Sequence, residues 1–258
     1  MQVDVYPLPS FVPAENISGS TAVVIDTLRA TTALIYASAA GVRRIIPLLD
    51  IEEAKQLKQS GLNGTVLPKD IILGGERNGV KIDGFDLGNS PHSYIPENVA
   101  GKTLIFTTTN GTVAMDTVRS AKRILPAALV NAGAVVKKIA ENKKNDDKII
   151  IVCAGTCGKE TEEDLLTAGS IVFRLCGLCQ TGVNSNIQLN ETAERVKELW
   201  RNTVLMQDGS ISKTKLLEYL RQSTGGQNLR RIGLDADIEA AAQIDKFDIV
   251  PVPFMFRQ

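Results

Sequence analysis

The chain lacks a net charge: 29 basic residues stand against 29 acidic ones. A balanced chain has no long-range field to gather nucleic acid or an anionic membrane surface, so neither is expected as a partner. A local basic pocket stays compatible with that balance. The chain also lacks an apolar run of membrane length. Its longest charge-free apolar stretch, Ala30 to Val42, is thirteen residues, whereas a spanning helix needs about 20. The opening MQVDVYPLPS has no basic start followed by an apolar segment, so no signal peptide is expected. These absences point to a soluble, cytoplasmic protein.

Several catalytic signatures are missing too. There is no G-x4-G-K-[ST] phosphate loop, and the segment TCGKE resembles only its tail. No G-x-G-x-x-G follows a strand pattern, which speaks against a dinucleotide fold. No cysteine is followed by arginine six positions on, so a cysteine-phosphatase loop is absent. An Asp-x-Asp nucleophile pattern fails at Asp26, where Leu28 holds the second place. The chain has four cysteines, and Cys153, Cys157, Cys176 and Cys179 have a spacing that suggests zinc. A helix over 161–179 would hold Cys157 and Cys176 roughly 20 Å or more apart, far beyond a shared ion. Reduced, mostly buried thiols are expected instead.

What the chain does have is alternation. Strand patterns fall near 22–26, 43–48, 71–75, 102–107, 123–126, 148–153 and 248–254, with helical patterns between most of them. Asp50 and Glu53 have capping-box spacing and Gly61 stops the helix they begin. This β-α alternation implies an α/β fold with a mainly parallel sheet covered by helices on both faces. At 258 residues and 43% hydrophobic content the chain fits a single domain. Successive helices at 161–179, 190–202, 212–222 and 235–245 suggest a helical subdomain over 161–246. Pro251 and Pro253 remove donors from one side of the last strand, so it should be an edge.

Open α/β sheets bind ligands beyond the carboxyl ends of their strands. Here those ends carry unusual polar sequence. The first reads Asp26-Thr-Leu-Arg29-Ala-Thr31-Thr32. The third opens GGERNGVKIDGFDLGNSP, residues 74–91, with five glycines in eighteen positions. A loop this long inside a compact domain is functional or disordered, and Glu76, Arg77, Asp86 and Asn89 argue for function. The fourth, TTTNGT, could be an Asn-Gly hairpin. The helical period of the next six residues, VAMDTV, favours a strand-to-helix turn, which would put Thr108, Thr109, Asn110, Gly111 and Thr112 where an anion is favoured. Thr31 and Thr32 stand similarly, with simple capping as the alternative. Glu163 and Asp164 begin the long helix, where acids also complement the dipole; Asp164 is expected to face inward, with Glu163 second. His92, the single histidine, is a structural residue or a general acid–base. Carboxylates gathered with Arg29 and Arg77 at helix N-termini describe a divalent-cation and phosphate site.

Four segments together, VVIDTLRATT, GGERNGVKIDGFDLGNSP, TTTNGT and GLDADIEAAAQID, resemble the 2-phosphosulfolactate phosphatase family. They run from the first full strand pattern to the last helix, so the resemblance covers nearly the whole chain. It implies a three-layer α/β/α fold and Mg²⁺-dependent hydrolysis of 2-phospho-3-sulfolactate to 3-sulfolactate, a step of coenzyme M biosynthesis. On that footing Asp26, Glu76, Asp86, Glu163 and Asp164 are candidate Mg²⁺ ligands. Asp26, Arg29, Arg77 and Asn110 are candidate catalytic residues. Thr31, Thr32, Asn89, Thr108, Thr109, Gly111 and Thr112 would bind the small anionic phosphate ester, and Arg77 would meet its sulfonate. A homodimer is left open. A non-catalytic binder of small anions, or a phosphotransferase on a related lactate-like ester, is the competing reading.

Overall fold

The computed structural model describes residues 1–62, 65–141, 148–180 and 187–251. Elements are numbered along the chain. Strands β1 (Gln2–Tyr6), β2 (Thr21–Ile25), β7 (Arg123–Ala127), β8 (Lys148–Cys153) and β9 (Gln188–Leu189) form a wholly parallel sheet in the order β7-β2-β8-β1-β9. Its central strands are β-branched runs such as TAVVI, every residue of which is buried, as a sheet covered on both faces requires. A second sheet has the order β3-β6-β4-β5, built from β3 (Arg44–Pro47), β6 (Thr103–Thr107), β4 (Ile71–Arg77) and β5 (Val80–Lys81). All its pairings are parallel except that of β4 with β5.

Helices α1 (Ala30–Ala39) and α4 (Gly111–Thr117) lie between the two sheets. Ala33, Leu34, Met115 and Val118 share one core with Val24 and Val152 of the first sheet and Ile72, Leu104 and Phe106 of the second. That sandwiching explains why α1 reads as apolar on every face. Helices α5 (Ala132–Glu141), α6 (Glu162–Gln180) and α7 (Glu191–Val204) cover the outer face of the five-stranded sheet, where Val135, Ile171 and Val196 meet Val23, Ile149 and Ile151. The five-stranded sheet is therefore the middle of an α/β/α stack. Helix α2 (Ile51–Ser60) closes the far side of the second sheet through Ala54 and Leu57, and α3 (Pro96–Val99) leads into β6. Asp50 accepts from the Glu53 N–H at 2.7 Å, and Gly61 ends α2 at φ 78°, as the capping pattern predicts.

Helices α8 (Lys213–Gln222), α9 (Thr224–Arg231) and α10 (Asp235–Ala241) pack with α7 around Trp200, Leu216, Leu220, Leu229 and Ile238. This group rests on Leu166 of α6, whose opposite side belongs to the sheet. Among the described residues no helix is long and apolar enough to cross a membrane.

Three features depart from the sequence reading, and a fourth, the TTTNGT turn, agrees with it. There are two sheets rather than one. An unread strand, β1, sits between β8 and β9. The expected last strand, 248–254, is not a strand over 248–251, and 252–254 lie outside the described residues. The Asn-Gly hairpin occurs at Asn78-Gly79, not in TTTNGT: φ is 53° and 79° at those two residues, and Glu76 and Arg77 pair with Lys81 and Val80. TTTNGT is the strand-to-helix turn from β6 into α4.

Candidate active site

The carboxyl ends of β2 and β8, from one sheet, face those of β4 and β6, from the other, across a cavity of about 360 Å³. Asp26 and Arg29 line it from β2, Glu76 and Gly79 from β4, Thr109 and Asn110 from β6, and Thr156 and Cys157 from β8. Asn89 and the face of α9 carrying Asn228 and Arg231 complete the wall.

Asp26 ends β2 because its carboxylate and backbone start α1. Its Oδ1 accepts from the Ala30 N–H at 3.0 Å, and its carbonyl from the Thr31 N–H at 2.9 Å. Oδ2 has no hydrogen-bond partner among the described residues. It faces the first residue of α4, Gly111, where a Cβ would lie 2.8 Å from Oδ2 and 2.5 Å from the Ala30 Cβ. Gly111 is thus required for α4 to approach Asp26. Burial holds the Asp26 carboxyl well above the ordinary carboxylate range, and Asp164, Glu76 and Glu163 add to the effect.

The other acids are engaged differently. Glu76 accepts from Gly79 N–H and Thr109 N–H at 2.7 Å each, so it ties the hairpin tip to the β6 turn. Asp164 accepts from Thr27 N–H at 2.8 Å and Gly155 N–H at 3.1 Å, bracing the ends of β2 and β8 from behind the cavity. Burial pushes it up to about 6. Glu163 is buried under Gly225, which leaves no room for a Cβ there, and its Oε2 has no partner. Burial, then Asp164, pushes it up to about 8. Both acids face inward, while Glu162 is exposed. Asp86 lies outside the cavity: it accepts from Leu73 N–H at 2.7 Å and pairs with Lys58 at 2.5 Å, fastening its loop to α2.

Arg29 is 5% exposed and fixed. Its Nη1 donates to Asp237 Oδ2 at 2.7 Å and its Nη2 to the Gly79 carbonyl at 2.8 Å. Asp237 in turn accepts from the Ser90 hydroxyl at 2.7 Å. Arg77 does not reach the cavity. Strand alternation turns it away from Glu76, and its guanidinium donates to the carbonyls of Leu49 and Glu76 at 2.9 Å each. The second arginine at the cavity, beside Arg29, is Arg231. It lies in α9, whose sequence TGGQNLRR gives little helical signal beyond the Ser223 cap.

Four expected substrate-binding hydroxyls are spent on the fold. Thr31 donates to the Ala127 carbonyl and Thr32 to that of Thr27, both at 2.7 Å. Thr108 accepts from the Thr112 N–H at 3.1 Å, and Thr112 donates back to the Thr108 carbonyl at 2.6 Å. All four are at most 2% exposed. Thr109 stays on the wall, held by Glu76. Asn110 Oδ1 accepts from Cys157 N–H at 3.4 Å. Asn89 is 6% exposed and its carboxamide oxygen has no partner. His92 lies exposed against the Ala236 carbonyl at 3.2 Å, away from the wall.

Among the described residues no three His, Cys, Asp or Glu side chains form a cage for a metal ion. The donor set fits a different arrangement. Asp26 presents one unpartnered carboxylate oxygen within an acidic cluster, and Mg²⁺ is commonly held by one or two carboxylates with water and phosphate oxygens completing its shell.

An α/β protein with a carboxylate and two arginines around one cavity at its strand ends has its site where open α/β enzymes carry theirs. Its sequence says which family that is. The model of the 2-phosphosulpholactate phosphatase family matches residues 6–253, and the chain belongs to that family. It is 37% identical over 251 residues to a "Probable 2-phosphosulfolactate phosphatase" of Caldanaerobacter subterraneus subsp. tengcongensis, covering 97% of this chain and 95% of the relative. A protein of the same name from Clostridium beijerinckii is 34% identical, with 97% and 96% covered. Another from Symbiobacterium thermophilum is 36% identical, with 93% and 94% covered.

Proposed function

We propose that this chain is a Mg²⁺-dependent phosphatase that converts 2-phospho-3-sulfolactate to 3-sulfolactate and phosphate in the cytoplasm, the step known from coenzyme M biosynthesis. The observation that carries the reading is the unpartnered Oδ2 of Asp26, a residue that lines the cavity, in a chain whose relatives bear that name over nearly their whole length.

Phosphate monoesters resist hydrolysis so strongly that catalysis can amount to as much as ~10²¹-fold. Stabilising the charge of the transferring phosphoryl group is the principal lever. When bound, Mg²⁺ would supply neutralising charge to the phosphoryl oxygens, with Asp26 as its protein ligand. The chain's own residues do the rest. Arg29, held rigid by Asp237 and Gly79, presents positive charge without reorganising. Asn110 lines the cavity with its oxygen accepting from Cys157 N–H, and its amide N–H groups would donate to the substrate. Glu76 keeps the hairpin tip and the Thr109 turn at a fixed separation. Leu28, Leu229 and Ile232 supply the apolar part of the wall.

The test is phosphate release from 2-phosphosulfolactate by the purified protein, stripped with EDTA and then titrated with Mg²⁺. Activity that disappears with EDTA and returns with Mg²⁺ supports the reading. Phosphate release that is indifferent to both removes the metal from it, and binding of 3-sulfolactate without any turnover makes the chain a binding protein.

A further inference from the structure

We infer that Arg231, at the end of α9, selects esters that carry a second anionic group beside the phosphate; this rests on the phosphatase reading above. The cavity has two arginines, and only one can respond to such a group. Arg29 is buried and held in place by Asp237 at 2.7 Å and the Gly79 carbonyl at 2.8 Å, so it cannot swing out to a second group. Arg231 is exposed and, among the described residues, forms no ion pair; its one partner is the neutral Asn228 Oδ1 at 2.9 Å. That bond joins positions i and i+3 of α9, where side chains share a face, so it aims the guanidinium along the cavity wall without cancelling its charge. Asn228 lines the same wall.

The two arginines also stand at different depths. Arg29 Nη2 donates to the carbonyl of Gly79, under the hairpin tip. Ile232, next to Arg231, packs over the same tip, with its Cδ1 3.3 Å from where a Gly79 Cβ would be. Arg29, 5% exposed, is thus the inner cation, and the exposed Arg231 the cation at the mouth. An ester seated with its phosphoryl group at Asp26 meets Arg231 with whatever it carries toward the mouth. A guanidinium fork matches a carboxylate or a sulfonate, and both bear full negative charge at neutral pH. An uncharged alkyl group gains no ion pair from it, and an aryl ring no more than a stacking contact.

The experiment compares the parent protein with Arg231→Ala and Arg231→Lys on p-nitrophenyl phosphate, 2-phospholactate and 2-phosphosulfolactate. The expected result is a loss of kcat/KM in Arg231→Ala that is about tenfold or more greater for an anion-bearing ester than for p-nitrophenyl phosphate. Arg231→Lys should recover part of it. If the loss is already present with 2-phospholactate, the carboxylate is the partner; if it appears only with 2-phosphosulfolactate, the sulfonate is. Equal losses on all three esters would overturn the inference. Calorimetric binding of 3-sulfolactate decides independently of turnover. The parent should bind it about tenfold or more tightly than Arg231→Ala does, and equal affinity, or no binding by the parent, overturns the assignment even where hydrolysis is absent. A parent that binds 3-sulfolactate through Arg231 but releases no phosphate refutes the phosphatase reading and leaves the selectivity of Arg231 standing.

Discussion

Arg29 Nη1 and Asp237 Oδ2 lie 2.7 Å apart, both nearly excluded from water, although 208 residues separate them in the chain. This pair fastens α10 to the end of β2. It also fixes the inner cation of the cavity. Removing one partner of a buried pair leaves an uncompensated charge, so Asp237→Ala should lower stability by about 3–5 kcal/mol. Replacing both residues by apolar ones, Arg29→Met with Asp237→Leu, should recover most of that stability but no activity. Urea unfolding and phosphate release, measured on the same preparations, check the two halves separately.

Gly111→Ala tests the close approach of α4 to Asp26. The added Cβ would lie 2.5 Å from the Ala30 Cβ and 2.8 Å from Asp26 Oδ2. Such overpacking costs typically about 1–3 kcal/mol. Activity should fall further than stability does, because the displaced group is the Asp26 carboxylate. A variant with parental kcat/KM would show that the Asp26 position tolerates movement.

The pH dependence of stability follows from Glu163. Its carboxyl is pushed up from 4.5 to about 8, so the folded protein holds this proton more tightly than the unfolded chain. Its contribution is present in full below pH 4.5 and is lost as pH rises through 8. Asp164, raised from 3.8 to about 6, acts in the same direction over a lower window. In EDTA, the protein should therefore melt at a higher temperature at pH 5 than at pH 8.5. Glu163→Gln should flatten that difference by raising the melting temperature at pH 8.5. A melting temperature that rises between pH 5 and 8.5 in the parent would contradict the burial of these two acids.

The sequence was informative where local chemistry decides structure. The β-branched runs of β2, β6 and β8, the capped start of α2 and the TTTNGT turn into α4 all read correctly, because each is set by a few adjacent residues. The convergence of strand ends was readable for the same reason: polar segments follow apolar runs at all four. Division into two sheets was not, since a parallel strand buried on both faces reads alike in either. β1 escaped because its apolar residues alternate with Gln2 and Asp4, without a turn signal before them. Long-range pairing decided which candidate side chains stay away from the cavity. Arg77 and Asp86 look functional in the glycine-rich segment, but one is taken by the Leu49 carbonyl and the other by Lys58. Thr31 and Thr112 look like anion ligands until their hydroxyls are followed to backbone carbonyls. Arg231 was missed because α9 opens on Gly-Gly and buries little besides Leu229.

The measurement closest to the central claim is phosphate release from 2-phosphosulfolactate by Asp26→Asn across a Mg²⁺ titration. The substitution keeps the shape of the side chain and the acceptor for the Ala30 N–H while removing its negative charge. If Asp26 organises the charge of the reaction, the variant should remain folded, with parental circular dichroism, and lose about a hundredfold or more in kcat at every Mg²⁺ concentration. Parental turnover with parental Mg²⁺ dependence would reduce Asp26 to the cap of α1 and contradict the account.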